Sequence, residues 1–141
     1  MVDILSGIQS TKAALSAERT RLDVIAENIA NANVSRGPDG KPYQRKVVVF
    51  ENALQQAVNG QSAATPGLQI ARIEKDPRPP EMVYAPGHPD ADERGMVAMP
   101  NVDVNEEMAD LVSASRTFEA NLAVVRNART MALQTLAIGK H

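Results

Sequence analysis

The amino-acid sequence predicts a mainly α-helical protein with a small β insert. Its N- and C-terminal helices form an antiparallel, coiled-coil-like pair, joined by a Pro/Gly-rich region of β-hairpins and loops. Three observations carry this reading. All nine prolines lie between Pro38 and Pro100, and six of the eight glycines lie between Gly37 and Gly95. Residues 8–36 and 101–138 contain neither. Both flanks repeat apolar residues at alternating steps of four and three, the spacing of a helical seam. The chain divides into an N-terminal helix of an inner coiled-coil domain (1–33), an outer β/loop insert (34–100) and a C-terminal helix that returns to the inner domain (101–141).

In the first flank the seam is Ile4, Ile8, Thr11, Leu15, Glu18, Leu22, Ile25, Ile29 and Ala32, with polar breaks at Thr11 and Glu18. Asp3 is placed to cap it. A helix over about 4–32 would be roughly 43 Å long at 1.5 Å per residue. Asn28, Asn31 and Asn33 crowd its end. Asparagine tolerates the left-handed region and ends helices, and a buried one also fixes register between packed helices. The two readings are compatible.

The insert opens on the turn-forming run Gly37-Pro38-Asp39-Gly40. The β-branched run in Gln44–Phe50 predicts a strand, and Leu68–Ile73, Met82–Tyr84 and Met96–Met99 are further candidates. Gln55–Thr65 reads as a flexible loop, and Pro77, Pro79 and Pro80 favour an extended path.

The last flank repeats the seam with Val104, Met108, Leu111, Ser115, Phe118, Leu122, Val125, Arg129, Ala132 and Leu136. Asp103 followed by Glu106 resembles a capping box. Glu106, Glu107 and Asp110 sit early and Arg126, Arg129 and Lys140 late, which complements the helix dipole. With Gly139 as its stop, the helix would run over about 103–138, roughly 54 Å.

Each helix carries a second, small-residue stripe. On the first it is Ser6, Ser10, Ala13, Ala17, Thr20 and Val24. On the last it is Ser113, Thr117, Ala120, Val124, Ala128, Met131, Thr135 and Ile138. One partner helix needs one stripe. The second predicts packing against other subunits, with Ile8, Leu15, Leu22, Ile25, Ile29, Met108, Leu111, Phe118, Leu122, Val125 and Leu136 as the packing positions. The pair alone buries its seam only partly, while ordering costs about 1–2 kcal/mol per residue, so an isolated monomer should be marginal.

Composition excludes several functions. The 141 residues carry a net charge of −2 with no basic block, which argues against nucleic acid and anionic membrane surfaces. There is no cysteine, hence no disulfide, thiolate nucleophile or Cys-based metal site. No stretch approaches the roughly 20 apolar residues of a membrane span, and the N-terminus lacks the pattern of a secretory signal. His88 has carboxylates nearby in Gly87-His88-Pro89-Asp90-Ala91-Asp92-Glu93, but the spacing is not that of a calcium loop, and a solvated turn explains it. No nucleophile elbow or phosphate cradle is present, and no cofactor is expected.

Several stretches resemble the bacterial flagellar rod and hook family. Asn28-Ile29-Ala30-Asn31-Ala32-Asn33 is similar to its N-terminal signature. Pro42–Phe50 resembles the segment after the first helix of the proximal-rod member. Pro86-Gly87-His88-Pro89-Asp90-Ala91-Asp92, with Gly95 and Val97, resembles its middle loop. Pro100-Asn101-Val102-Asp103, Glu106-Glu107-Met108, Ala114-Ser115-Arg116 and Glu119-Ala120-Asn121 resemble its last helix. The chain departs from the pattern at Phe118, where Tyr is frequent, at Met96, and at Ser35-Arg36, which replaces a Thr-rich stretch.

The resemblance implies a non-enzymatic axial component of the flagellar basal body, exported by the flagellar type III apparatus without a cleaved signal. It implies assembly in the periplasm into a helical rod that transmits torque. The implied partners are other proximal and distal rod proteins, the rod-to-MS-ring adaptor and the export apparatus during secretion, with no nucleic acid and no direct membrane insertion. A soluble cytoplasmic coiled-coil adaptor is the alternative.

Overall fold

The computed structural model describes residues 2–52 and 68–138. Helix α1 spans Val2–Ala30 and helix α2 spans Val104–Ile138. Between them lie β1 (Lys46–Asn52), β2 (Leu68–Lys75), β3 (Glu81–Tyr84) and β4 (Met96–Met99). The chain is thus mainly helical with a small β insert. The Gln55–Thr65 loop and the Gly139 stop lie outside the described residues.

Strands β1 and β2 pair antiparallel, from Lys46 opposite Lys75 to Asn52 opposite Leu68, with a bulge between Val49 and Phe50. Strands β3 and β4 form a second antiparallel pair, from Glu81 opposite Met99 to Tyr84 opposite Met96. The first pair lies against α1; the β3–β4 hairpin has no comparable packing on either helix. The turn at 37–40 closes by Gly40 N–H to the Gly37 carbonyl (3.0 Å), with Gly40 at φ 74°.

Helix α1 begins at Val2, and the side chain of Asp3 lies outside the described residues. At α2 the expected cap forms by halves. Asp103 Oδ1 accepts the Asn105 N–H (2.8 Å), but the Glu106 carboxylate turns away to Arg78 (3.7 Å).

The helices run antiparallel, since Asn28 meets Glu107 while the earlier Arg21 reaches the later Asp110. The seam on α2 follows the expected one through Leu111, Ser115, Phe118, Leu122, Val125 and Ala132 but departs from it at Met108 and Arg129. Glu107 and Ala114 are fully buried and Leu111, Phe118, Asn121, Leu122, Val125, Ala128 and Ala132 half-buried, whereas Met108 and Arg129 are exposed. Glu107 is held by polar partners on α1 and in the segment just before β1, and this turns its neighbour Met108 outward. Leu136 points along the seam direction yet is 69 % exposed. Helix α2 has 35 residues against 29 in α1, and the Asn28–Glu107 pairing puts Val2 opposite about residue 133, so among the described residues the last turn of α2 lies past the start of α1.

On α1, Glu18 and Ile25 are buried, as is Ala32 just beyond the helix, and Leu15, Leu22 and Ile29 are half-buried; the Ile8 side chain lies outside the described residues. The second stripe of α1 does not stay open. Ala17 and Val24 are buried, Val24 beside Val47, Val48 and Phe50 of β1. The chain's own β insert, not a neighbouring subunit, lies against that part of α1. The second stripe of α2 does remain uncovered, with Val124, Met131 and Ile138 all more than half exposed.

Candidate functional site

The best-built part of the molecule is a polar joint where the end of α1, the start of α2 and the insert meet. Its centre is Asn28, 1 % exposed. The last full turns of α1 aim this amide at β1. Its Nδ2 donates to the Lys46 carbonyl (2.9 Å) and to Glu107 Oε2 (3.0 Å). Its Oδ1 accepts from the Lys46 N–H (2.9 Å) and the Tyr43 hydroxyl (2.9 Å). Two donors and two acceptor sites are the full capacity of a carboxamide, and all four are used.

Glu107 is the second member, with no exposed surface. A buried carboxylate is costly unless paired and hydrogen-bonded. Here Oε1 accepts from Arg45 Nε while Oε2 accepts from Asn28. The Arg45 guanidinium also lies 3.4 Å from Asp76 and 3.6 Å from Asp110. Burial works against its charge, but the hydrogen bond and field of Glu107 and the contact with Asp76 outweigh burial, so its pKa is raised.

A second ring ties in the segment before β3. Asn101 Oδ1 accepts the Arg45 N–H (2.8 Å) and its Nδ2 donates to the Arg78 carbonyl (2.9 Å). The Asp76 N–H donates to the Arg45 carbonyl (2.8 Å), and Gln44 Nε2 donates to the Asp76 carbonyl (2.7 Å). Asp76 Oδ2 accepts from Arg78 Nε (2.9 Å). That bond to Arg78 holds the Asp76 pKa down to about 2, against the effect of burial. Burial first, then the charges of Glu27 and Glu107, push the Tyr43 phenol up to about 12. Tyr43 is therefore a hydroxyl donor throughout the physiological range.

The joint brings together three residues singled out in the sequence, Asn28, Asn101 and Glu107. It gives Asn28 an intrachain role, so the amide fixes register within one subunit. Asn31 does otherwise, donating from Nδ2 to the Glu27 carbonyl (2.8 Å) at the helix end. The partners Arg45, Tyr43 and Asp76 escaped the sequence reading. The only signal for them was indirect: buried Asn and Glu positions demand partners, and Tyr43 and Arg45 lie in a stretch already noted for its resemblance.

The middle loop forms a separate, smaller assembly. Asp90 accepts from Ser35 Oγ (2.8 Å) and Arg36 Nη1 (3.3 Å), so the departure at Ser35-Arg36 supplies the loop's anchor. His88 Nδ1 accepts the Asp90 N–H (3.1 Å), which is a turn contact. Among the described residues no group of three or more His, Cys, Asp or Glu is placed to hold a metal. Pro86, Gly87 and Pro89 are exposed on this loop, Arg116 is exposed on α2 and Val102 is half-buried before it.

An antiparallel helix pair locked to a β insert by a saturated ionic joint, with much apolar surface of the second helix left uncovered, makes a scaffold subunit. The comparisons with known proteins agree. The family description "Flagella basal body rod protein" matches residues 8–36, and "Flagellar basal body rod FlgEFG protein C-terminal" matches residues 93–138. The chain is 47 % identical over 128 residues to the flagellar basal-body rod protein FlgC of Yersinia enterocolitica, covering 91 % of this chain and 92 % of that one. It is 39 % identical over 150 residues to that of Borreliella burgdorferi, covering 96 % and 97 %. Against that of Bacillus subtilis the identity is 36 % over 139 residues, covering 91 % and 93 %. The chain belongs to the FlgC family of flagellar basal-body rod proteins.

Proposed function

We propose that this chain builds the proximal part of the flagellar rod, polymerising with other rod proteins to carry torque from the motor to the hook and filament. It is a structural component of the basal body and not an enzyme. It assembles with other basal-body components. In this reading residues 1–33 and 101–141 form the inner, near-axial layer and 34–100 the outer layer. The chain reaches the periplasm through the flagellar export apparatus without a cleaved signal, and the rod-to-MS-ring adaptor is a neighbour. The seam and motif positions act as packing surfaces between subunits.

One observation carries the proposal beyond family membership. Among the described residues of α2 only Glu107 and Ala114 are buried, so a 35-residue helix keeps most of its surface for something outside its own chain. Packed interfaces deform little, which suits a shaft under load. No helix of the described residues is long and apolar enough to cross a membrane. A cytoplasmic adaptor would leave the elaborately bonded joint without purpose.

The test is fractionation and motility. In cells whose native chain is replaced by a Leu122→Ala variant, swimming and recovery of the chain in isolated basal bodies should fall, while the purified variant stays soluble. Normal rods in those cells would refute the packing role of Leu122. Absence of the unaltered chain from basal bodies would refute the rod reading.

A further inference from the structure

The β3–β4 hairpin presents an unusual face. Opposed residues in an antiparallel pair point to the same side. Val83 and Val97 share one side, and Val97, 1 % exposed, makes it the inward one. The other side consists of Met82, Tyr84, Met96 and Ala98. A sheet face turned to water ordinarily carries polar residues. This one carries none, and Met82 and Tyr84 are 53 % and 69 % exposed. No described hydrogen bond engages the Tyr84 hydroxyl, and an exposed aromatic of this kind is a frequent interface anchor. The hairpin packs on neither helix to any comparable extent, so its outer face is not the remainder of an internal contact.

A matching surface exists on the same chain. The uncovered stripe of α2 runs through Val124, Met131 and Ile138, one residue every two turns. The charges around the two surfaces are opposite. Between Ala120 and Ile138 the only charged residues are Arg126 and Arg129, both exposed. In the loop beside Met96, Asp92, Glu93 and Arg94 are exposed and none forms an ion pair among the described residues, which leaves this edge of the hairpin net acidic. Complementary charge steers and orients such an encounter.

The two surfaces cannot meet within one chain. The hairpin runs directly into the start of α2, whereas Met131 lies 24 residues beyond Glu107 in the sequence, about 36 Å along the helix. Resting on the rod reading given above, we infer that the outer face of the β3–β4 hairpin of one copy docks on the Val124–Met131–Ile138 stripe of a second copy. The two patches differ, so the contact is head to tail. Repetition then produces an open chain instead of a closed dimer.

The protein contains no cysteine, so introduced thiols report without background. Tyr84→Cys is combined in turn with Val124→Cys, Met131→Cys and Ile138→Cys in the full chain. A disulfide needs Cα atoms within about 7 Å, and the three positions sample the stripe. Oxidation is carried out in basal bodies from motile cells and on the concentrated purified chain. At least one pair should give a ladder of dimers and higher species, several-fold above either single variant. Tyr84→Cys with Leu133→Cys, on the opposite side of α2, should not. Chain present in the basal bodies but monomeric on oxidation, or cross-linking equally through Leu133, overturns the inference and leaves the rod reading standing. Self-linking by Tyr84→Cys alone would replace it with a symmetric contact.

Discussion

Asn28 fills a role that no other side chain can. Asp keeps the acceptors for Tyr43 and Lys46 N–H but loses both donors and sets a second negative charge against Glu107, 3.0 Å away. Asn28→Ala orphans all four partners but adds no charge. At about 1–3 kcal/mol for each buried group left unpaired, both variants should be strongly destabilised, with Asn28→Asp the worse at neutral pH and the gap narrowing in acid. Chemical denaturation at the two pH values checks this. Gly95 is constrained differently. Its φ is +74°, and an added Cβ would stand 3.0 Å from both Pro86 Cβ and the Tyr84 ring. Gly95→Ala should cost about 1–3 kcal/mol and disturb the hairpin, read as a changed Tyr84 environment in aromatic NMR spectra. Asn28 stood out in the sequence as an amide at a helix end, and Glu107 only as an early acidic residue and a part of the family resemblance. Their partners could not be found there, because Arg45 and Asp76 come from loop edges whose position depends on the whole fold.

The helices and strands were legible because Pro and Gly are confined to the insert and because apolar periodicity persists on both sides. All four strands appear near their expected places, within one or two residues at most ends. At the start of α2 the buried face was misjudged by one position. Hydrophobic spacing alone favours Met108 over Glu107, and nothing local announces that a carboxylate will be buried by a distant guanidinium. The second stripes split for a related reason: β1 lies against α1 at Val24, while α2 has no strand against its far half. This division predicts distinct outcomes for two substitutions. Val24→Ala should lower monomer stability by about 1–3 kcal/mol, as for loss of two buried methyl groups. Val124→Ala should leave the monomer's denaturation midpoint unchanged and act only on assembly, measured as recovery of the chain in basal bodies.

Stability is concentrated at one end. The buried residues cluster from Ala17 to Ala32 and from Val97 to Ala114, and beyond Ala114 none of the described residues is buried. Hydrogen exchange on the monomer should therefore be graded, slow around 17–32 and 104–114 and fast beyond about 120. This narrows the sequence-based expectation of a marginal monomer to the far half of the pair. Acid should loosen the protected end through Asp76. Its folded pKa of about 2 lies below the ordinary 3.8, so its contribution is complete above the ordinary value and fades as pH drops through the interval between them. Asp76→Asn should abolish that part of the acid sensitivity, seen by comparing denaturation midpoints of the two proteins across the interval.

The unequal helix lengths have one more consequence. A subunit bolted shut at one end and overhanging at the other is a tapered brick, and its two tips are not interchangeable. Any column laid from such bricks inherits an arrow: the tip that receives the next brick differs chemically from the tip already buried. Growth in a single direction is then a property of the brick itself.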